Sequence, residues 1–188
     1  VLGGTRSTTD SLQNLAARQG PTLAEVSSRP VKDWIFPVLN TSQNWYAEML
    51  LKQLGRQFGG AGSWKAGLEV ERRFLIDSMK VDSTQFALRD GSGLSSSNLV
   101  SPKAFATLLT WMRAHPRFES FAAGLPQSGQ RGSLKSRFVG TPLEGKVRAK
   151  TGSISRVNTL AGYIELPGRT LTFAIEANNH TLGSRVMI

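Results

Sequence analysis

The sequence lacks cysteine altogether and has only two histidines, His115 and His180. Without cysteine the chain can form no disulfide, no thiolate nucleophile and no sulfur-ligated metal site. Two histidines provide little material for a histidine-based metal site or for a Ser-His-Asp triad. Because His115 precedes a proline at an apparent helix end and His180 lies in a turn-like segment, we expect both to be solvated boundary or loop residues. We therefore predict no metal and no organic cofactor.

Long apolar runs and concentrated basic runs are missing as well. No stretch of eighteen apolar residues occurs, so no membrane span is predicted. Residues 1–10 have no basic segment followed by an apolar core, as a secretory signal would. The net charge of +10 favours polyanionic partners. Since the lysines and arginines are scattered, without interleaved aromatic residues, we predict no nucleic-acid binding.

Apolar residues at helical spacing predict three main helices, which begin at about Trp45, Lys65 and Pro102. Shorter helical patterns occur in residues 11–20 and near residues 133–138. In residues 22–44, Pro30 and Pro37 predict short helical turns and extended chain instead of one long helix.

The last forty residues alternate between apolar and polar positions, which is typical of strands. The segment GKVRAKTGS predicts one strand, and NTLAGYIELPGRTLTFAIEAN predicts two strands joined by a turn at Pro167-Gly168. Helices followed by an antiparallel three-strand meander indicate an α+β fold. Because a three-strand sheet leaves an open edge, we expect segments outside this chain to complete it.

The segment RAKTGSIS, residues 148–155, carries groups suited to an anionic ligand. Lys150 offers a positive charge and Thr151 a hydroxyl, although neighbours on a strand point to opposite faces unless the strand twists. Gly152 lets a ligand lie against the backbone, and the N–H of Ser153 is then available to a developing oxyanion. A plain strand with a solvated lysine and a glycine bulge would share this motif, so alone it is not specific.

A second polar pair precedes the first main helix. Ser42 and Asn44 can point into one cleft, with a hydroxyl to relay a proton and an amide to hold a substrate carbonyl. Asn44 could equally cap the helix. A rival Ser-x-Asn occurs at Ser96 and Asn98, in a serine-rich turn.

Ser-x-Asn followed by Lys-Thr-Gly resembles the motif set of the serine-acylating penicillin-recognising enzymes. The fuller similarity, over about residues 24–180, is to D-alanyl-D-alanine carboxypeptidase/endopeptidases of the penicillin-binding protein 4 type. Three blocks occur in that family's order: PVLNTSQNWYAEMLLKQLG, RDGSGLSSSNLVSP and GKVRAKTGSISRVNTLAGYI. The resemblance implies a penicillin-binding/serine β-lactamase-like fold. It favours Ser42 and Asn44 over the rival pair, because the family's catalytic Ser-x-Asn precedes the helix of the first block.

The resemblance also implies roles for individual residues. The family's catalytic residues map onto Ser42, Asn44 and Lys150, and its substrate-binding residues map onto Thr151, Gly152 and Ser153. The serine would relay a proton to the leaving amine, and the asparagine would hold the substrate amide. The lysine and threonine would bind the terminal carboxylate, and the N–H of Ser153 would complete the oxyanion hole. The implied substrate is a peptidoglycan peptide, β-lactams are implied ligands, and the location is periplasmic or extracellular. The turn DGSGLS, residues 90–95, is predicted to support the cleft.

One motif of the family is missing, because no serine in the chain has a lysine three positions later. In the family this acylating Ser-x-x-Lys pair lies upstream. We therefore expect residues 1–188 to be the carboxyl-terminal part of a single DD-peptidase domain, incomplete and unable to acylate alone. Two alternatives stay open: a catalytically inactive cell-wall or polyanion-binding homologue, and a related serine β-lactamase or esterase.

Overall fold

The computed structural model describes residues 25–181, so the helical pattern at residues 11–20 lies outside the described part. The chain divides into two units, residues 1–31 and residues 32–188. Residues 25–30 of the first unit are exposed chain without regular structure. In the second unit helices come first and the main sheet last, which confirms the predicted α+β order. No helix within residues 25–181 is long and apolar enough to cross a membrane.

The three predicted main helices are present, with two more beside them. The helices are α1 (Val31–Asn40), α2 (Asn44–Phe58), α3 (Trp64–Arg73), α4 (Pro102–Arg113) and α5 (Phe118–Gly124). Helix α3 continues into a wider π-helical turn at Phe74–Ser78, so the predicted second helix is confirmed over most of its length. Helix α4 starts as predicted, because the Ser101 hydroxyl accepts a hydrogen bond from the Ala104 N–H at 3.1 Å.

Helix α1 shows that the prediction of short turns around Pro37 was wrong, since this proline lies inside the helix. A proline removes one hydrogen bond of the helical ladder and is usually unfavourable there. Packing compensates for that loss. The Trp34 ring contacts the Tyr46 ring edge-on at 4.8 Å, and Leu39 packs against the cluster around Tyr163.

The main sheet is the predicted antiparallel meander. Its strands are β3 (Val147–Ile154), β4 (Val157–Leu166) and β5 (Arg169–Asn178), in the spatial order β3-β4-β5. The turn between β4 and β5 uses Gly168 at φ +73°, a conformation that glycine adopts without strain. Two further strands of two residues each, β1 (Phe86–Ala87) and β2 (Leu99–Val100), pair antiparallel. The DGSGLS turn lies in the segment between them.

Both faces of the sheet are buried near strand β3. On one face, Val147, Ala149 and Leu160 form a core with Leu134. On the other face, Tyr163 packs against side chains of α4 and the segment after α5, and its hydroxyl donates to the Leu109 carbonyl oxygen at 2.8 Å. Strand β3 is therefore held in a fixed position against the helices.

Helices α2 and α3 approach each other backbone to backbone through two glycines. A Cβ on Gly67 would overlap the carbonyl oxygen of Leu51 and come within 2.8 Å of its Cγ. A Cβ on Gly55 would lie 2.6 Å from the Gly67 nitrogen. This close contact fixes the position of α2.

We expect Gly67→Ala to destabilise the fold by about 1–3 kcal/mol, because the added methyl has no space between the two backbones. Gly62→Ala is the matched control, since its nearest neighbour would be a Cβ atom at 3.7 Å. Urea unfolding measures both variants. A Gly67→Ala protein as stable as the control would contradict the close packing of α2 and α3.

Candidate active site

Strand β3 and the turn before α2 meet at Lys150 and Ser42, which are 108 residues apart in the sequence. The Lys150 Nζ donates to the Ser42 Oγ, and it also donates to the Thr151 carbonyl oxygen at 2.7 Å. Ser42 has φ +54°, in the left-handed region that residues other than glycine rarely adopt. Such backbone strain costs about 1–3 kcal/mol and often accompanies functional sites, although Lys80, Phe138, Arg156 and Asn179 also have positive φ. The structure thus brings together the two residues that the motifs predicted to meet.

Lys150 is a partly buried cation. Burial lowers the pKa of Lys150 below its ordinary value, because removal from water disfavours the charged form. Its hydrogen-bond partners within residues 25–181 are a hydroxyl and a carbonyl, which do not neutralise its charge. An ammonium in this setting is well suited to bind an anion.

Asn44 is the first residue of α2, and Gln43 occupies the capping position without a side-chain cap bond. The capping role considered for Asn44 is therefore not observed. Asn44 instead lines an open cleft of about 610 Å³, together with Trp45, Trp64, Leu94 and four polar residues. The residues that line this cleft include neither Ser42 nor Lys150, so the cleft is connected to that pair only through the short chain segment from Ser42 to Asn44.

The backbone N–H of Ser153 points to the outer edge of β3, away from β4. The Glu165 N–H donates to the Lys146 carbonyl oxygen at 2.8 Å, so the backbone of Lys146 and of every second residue after it faces β4. The N–H groups of Val147 and Ala149 accordingly bond outward, to the Ser128 Oγ at 3.1 Å and the Pro126 carbonyl oxygen at 3.0 Å. Because the alternation continues along the strand, the Ser153 N–H faces this same edge.

Thr151 and Gly152 have structural partners that the sequence did not indicate. The Thr151 hydroxyl lies on the face opposite to Lys150 and donates to the Ser133 Oγ at 2.7 Å. A Cβ on Gly152 would overlap the Thr159 hydroxyl on the neighbouring strand. A side chain at this position would therefore force the Thr159 hydroxyl to move.

The rival pair, Ser96 and Asn98, has a local structural role. The Asn98 Oδ1 accepts from the Arg89 N–H at 2.7 Å, and its Nδ2 donates to the Asp90 carboxylate at 2.9 Å. Ser96 is exposed. These bonds close the loop on itself, which supports the preference for Ser42 and Asn44.

The DGSGLS turn is anchored to α2 by a carboxylate. Glu48 accepts hydrogen bonds from the Ser92 N–H at 2.9 Å, the Gly91 N–H at 3.2 Å and the Trp64 Nε1–H at 2.7 Å. Burial alone would raise the pKa of Glu48, but these hydrogen bonds and one from the Ser92 side chain lower it below the ordinary value. The turn thus forms one wall of the cleft, as a supporting element would.

Comparison with known proteins decides the family. The model of the D-Ala-D-Ala carboxypeptidase 3 (S13) family matches residues 2–186. The chain belongs to this family. A D-alanyl-D-alanine carboxypeptidase of Actinomadura sp. strain R39 is 38% identical over 164 residues, which are 85% of this chain and 30% of that protein. A penicillin-sensitive carboxypeptidase A of Dictyostelium discoideum is 33% identical over 168 residues, 82% of this chain and 31% of that protein.

The crystal structure of penicillin-binding protein 4 from Haemophilus influenzae, in complex with a β-lactam, has a TM-score of 0.79 to this S13 chain at 28% identity. The match covers 88% of this chain and 39% of that one. It confirms the predicted penicillin-binding fold. The chain spans about a third of the length of the curated relatives that it matches.

Two polar residues of this S13 chain next to Ser153 were misjudged or missed in the sequence. His180 lies in the loop after β5, as expected, but it is half-buried and its Nε2 lies 2.6 Å from the Nδ2 of Asn158. Asn158 is buried, and its Oδ1 accepts from the Ser153 hydroxyl at 2.9 Å. The alternation of β4 does place Asn158 opposite Ser153, but the contact with His180 depends on where the chain goes after β5.

A half-buried acidic residue, Glu71, also lies near the DGSGLS turn. Burial, and secondarily the negative charge of Asp90, raises the pKa of Glu71 to about 7. Glu71 therefore keeps its proton in the fold at pH values where it ionises in the unfolded chain. The contribution of Glu71 to stability is therefore fully present below its unfolded pKa of 4.5 and is lost as the pH rises toward 7.

We expect Glu71→Gln to stabilise the protein at about pH 8, on the order of 1–3 kcal/mol, and to have little effect at about pH 4.5. The amide keeps the side chain neutral at both values. Glu69→Gln, two residues away and exposed, is the control. Denaturant unfolding at the two pH values gives the comparison, and an equal effect of Glu71→Gln at both would show that Glu71 is not held protonated.

Proposed function

We propose that residues 1–188 form the carboxyl-terminal part of a serine-type D-Ala-D-Ala carboxypeptidase/endopeptidase domain. It would act on peptidoglycan peptides, react with β-lactams, and work in the periplasm or outside the cell. The hydrogen bond from Lys150 to Ser42 carries this proposal, because it joins the Lys-Thr-Gly lysine to the Ser-x-Asn serine. Membership of the S13 family supports the reaction class.

The nucleophile of the proposed reaction is a serine outside these residues, since no Ser-x-x-Lys occurs within them. That serine attacks the carbonyl between two D-alanines while its lysine accepts the proton. An acyl-enzyme forms, the terminal D-alanine leaves as an amine, and water releases the acyl group. The contribution of this chain is to move one proton and to hold the substrate.

In this proposal Ser42 passes the proton to the leaving amine. Because Lys150 donates to the Ser42 oxygen, the O–H of Ser42 is directed away from the lysine. The cation also stabilises negative charge that develops on the oxygen during the transfer. The same hydrogen bond from Lys150 orients the Ser42 hydroxyl before the substrate arrives.

The substrate is held by three donors in this proposal. Lys150 has three N–H groups and uses two of them within residues 25–181, so one is available to the terminal carboxylate. The Ser153 N–H at the strand edge donates to the oxyanion. Asn44, at the wall of the cleft, holds the substrate amide.

The open edge of the sheet supports the proposal that further segments complete the domain. Among the described residues no strand pairs with the outer edge of β5. On this ten-residue strand, Leu171 and Ile175 are 41% and 48% exposed. A long apolar edge of this kind favours pairing with another segment.

Lys150→Ala in the complete protein is expected to slow the covalent reaction with a fluorescent penicillin by about 10²–10³-fold, as loss of one donor in an oxyanion or relay site does. Little change in thermal unfolding is expected. Lys146→Ala, an exposed lysine just before β3, is the matched control and should react like the parent.

Two outcomes would overturn this assignment. A Lys150→Ala protein that reacts as fast as the parent would remove Lys150 from the site. A complete parent protein that neither reacts with penicillin nor releases D-alanine from a D-Ala-D-Ala peptide would instead favour a non-catalytic homologue.

A further inference from the structure

The outer edge of strand β3 is covered along its first half and open along its second half. The segment at residues 126–128 runs antiparallel to the start of the strand, and the Ala149 N–H donates to the Pro126 carbonyl oxygen at 3.0 Å. Beyond Ala149, no segment within residues 25–181 pairs with this edge. The backbone of Thr151 therefore faces an open site that is bounded at one end by the segment 126–128.

Ser133 lies at this boundary, on a short 3-10 turn at Gly132–Leu134. The turn is held in place because Leu134 is fully buried in the core beside β3, and its carbonyl oxygen accepts from the Gly129 N–H at 3.0 Å. Ser133 itself is exposed, and its hydroxyl oxygen lies 2.7 Å from that of Thr151. A ligand that binds at Thr151 is therefore within reach of Ser133 as well.

The two hydroxyls share one hydrogen bond, which uses only one of their two protons. Each hydroxyl has a single proton to donate, so the second proton of the pair remains for a further acceptor. In the structure Thr151 donates to Ser133, and the count is the same in the reverse direction. Within residues 25–181 neither hydroxyl has another hydrogen-bond partner. The pair therefore presents one O–H to the open site in either direction.

The charges around this turn favour an anion as that acceptor. Residues 120–143 contain no acidic residue and three basic ones, Arg131, Lys135 and Arg137. The next acidic residue, Glu144, accepts from the Gly140 N–H at 2.7 Å. At the same edge the Lys150 ammonium donates to the Thr151 carbonyl oxygen at 2.7 Å. Since a hydrogen bond to an ionised acceptor is about twice as strong as one between neutral groups, the open O–H suits a carboxylate.

We propose that Ser133 is a substrate-binding residue, whose hydroxyl forms with that of Thr151 a paired donor to the terminal carboxylate of the substrate. This inference rests on the proposed function, because it takes the outer edge of β3 as the substrate site. The substrate ends at the pair, since the segment at residues 126–128 occupies the edge beyond it. The pair is redundant: when one hydroxyl is removed, the other keeps its proton and donates to the carboxylate alone.

The preference of the complete protein for a free carboxylate tests the proposal. The value of kcat/KM is measured for a D-Ala-D-Ala peptide and for the same peptide with its terminal carboxylate amidated. The ratio of the two values does not depend on the active fraction of a preparation. In the double variant Ser133→Ala/Thr151→Val we expect this ratio to fall about 10–100-fold, the effect of one hydrogen bond to a charged group. Each single variant retains one O–H, so its ratio should fall less than about tenfold.

Two further variants separate this role from a structural one. Ser133→Thr keeps a hydroxyl and should keep the parent ratio. Ser136→Ala, at an exposed serine of the same segment, is the matched control and should keep it too. A double variant with the ratio of the parent, or with no lower ratio than Thr151→Val alone, would overturn the inference. A complete parent protein that neither reacts with penicillin nor cleaves the peptide would instead overturn the proposed function, and the role of Ser133 with it.

Discussion

The hydrogen bond between Lys150 and Ser42 is the constraint on which the candidate site depends. It can form only if strand β3 and the start of α2 are both fixed in position. Strand β3 is fixed because both faces of the sheet are packed near it. Helix α2 is fixed by its backbone contact with α3, where glycine is the only residue that fits. The core of the domain therefore serves to bring two polar groups together.

These two groups are themselves unfavourable for folding. Lys150 is partly removed from water without a carboxylate partner among the described residues, and its pKa is lowered accordingly. Ser42 has a backbone conformation that costs about 1–3 kcal/mol. Departures of this kind from the most stable arrangement are expected where a site is prepared for a ligand. The charge of Lys150 remains available, and the Ser42 hydroxyl is oriented before any substrate binds.

The sequence predicted those parts of the fold that depend on local periodicity. Helix α2, helix α4 and the three-strand meander follow directly from the spacing of apolar residues. Helix α1 could not be predicted because Pro37 argues against it, and only packing against distant residues overcomes this. The two-residue strands β1 and β2 are too short to show any period.

Some features of the candidate site could be predicted from the sequence and others could not. Motifs were sufficient to predict that Ser42 and Lys150 meet, because the resemblance supplied their pairing. The bond from Thr151 to Ser133 and the chain from Ser153 to His180 were not predictable, since each depends on loops whose path the sequence does not determine. The sequence did not decide whether Asn44 caps helix α2 or lines a cleft. In the structure Gln43 occupies the capping position and Asn44 lines the cleft.

A double-mutant cycle on Ser42 and Lys150 tests the central claim most directly. The acylation rate of the complete protein by a labelled penicillin is measured for the parent, Ser42→Ala, Lys150→Ala and the double variant. If the two residues act as one unit, the double variant loses no more than about the larger single loss of 10²–10³-fold. Losses that multiply in the double variant would mean that the residues act independently, and they would contradict the account.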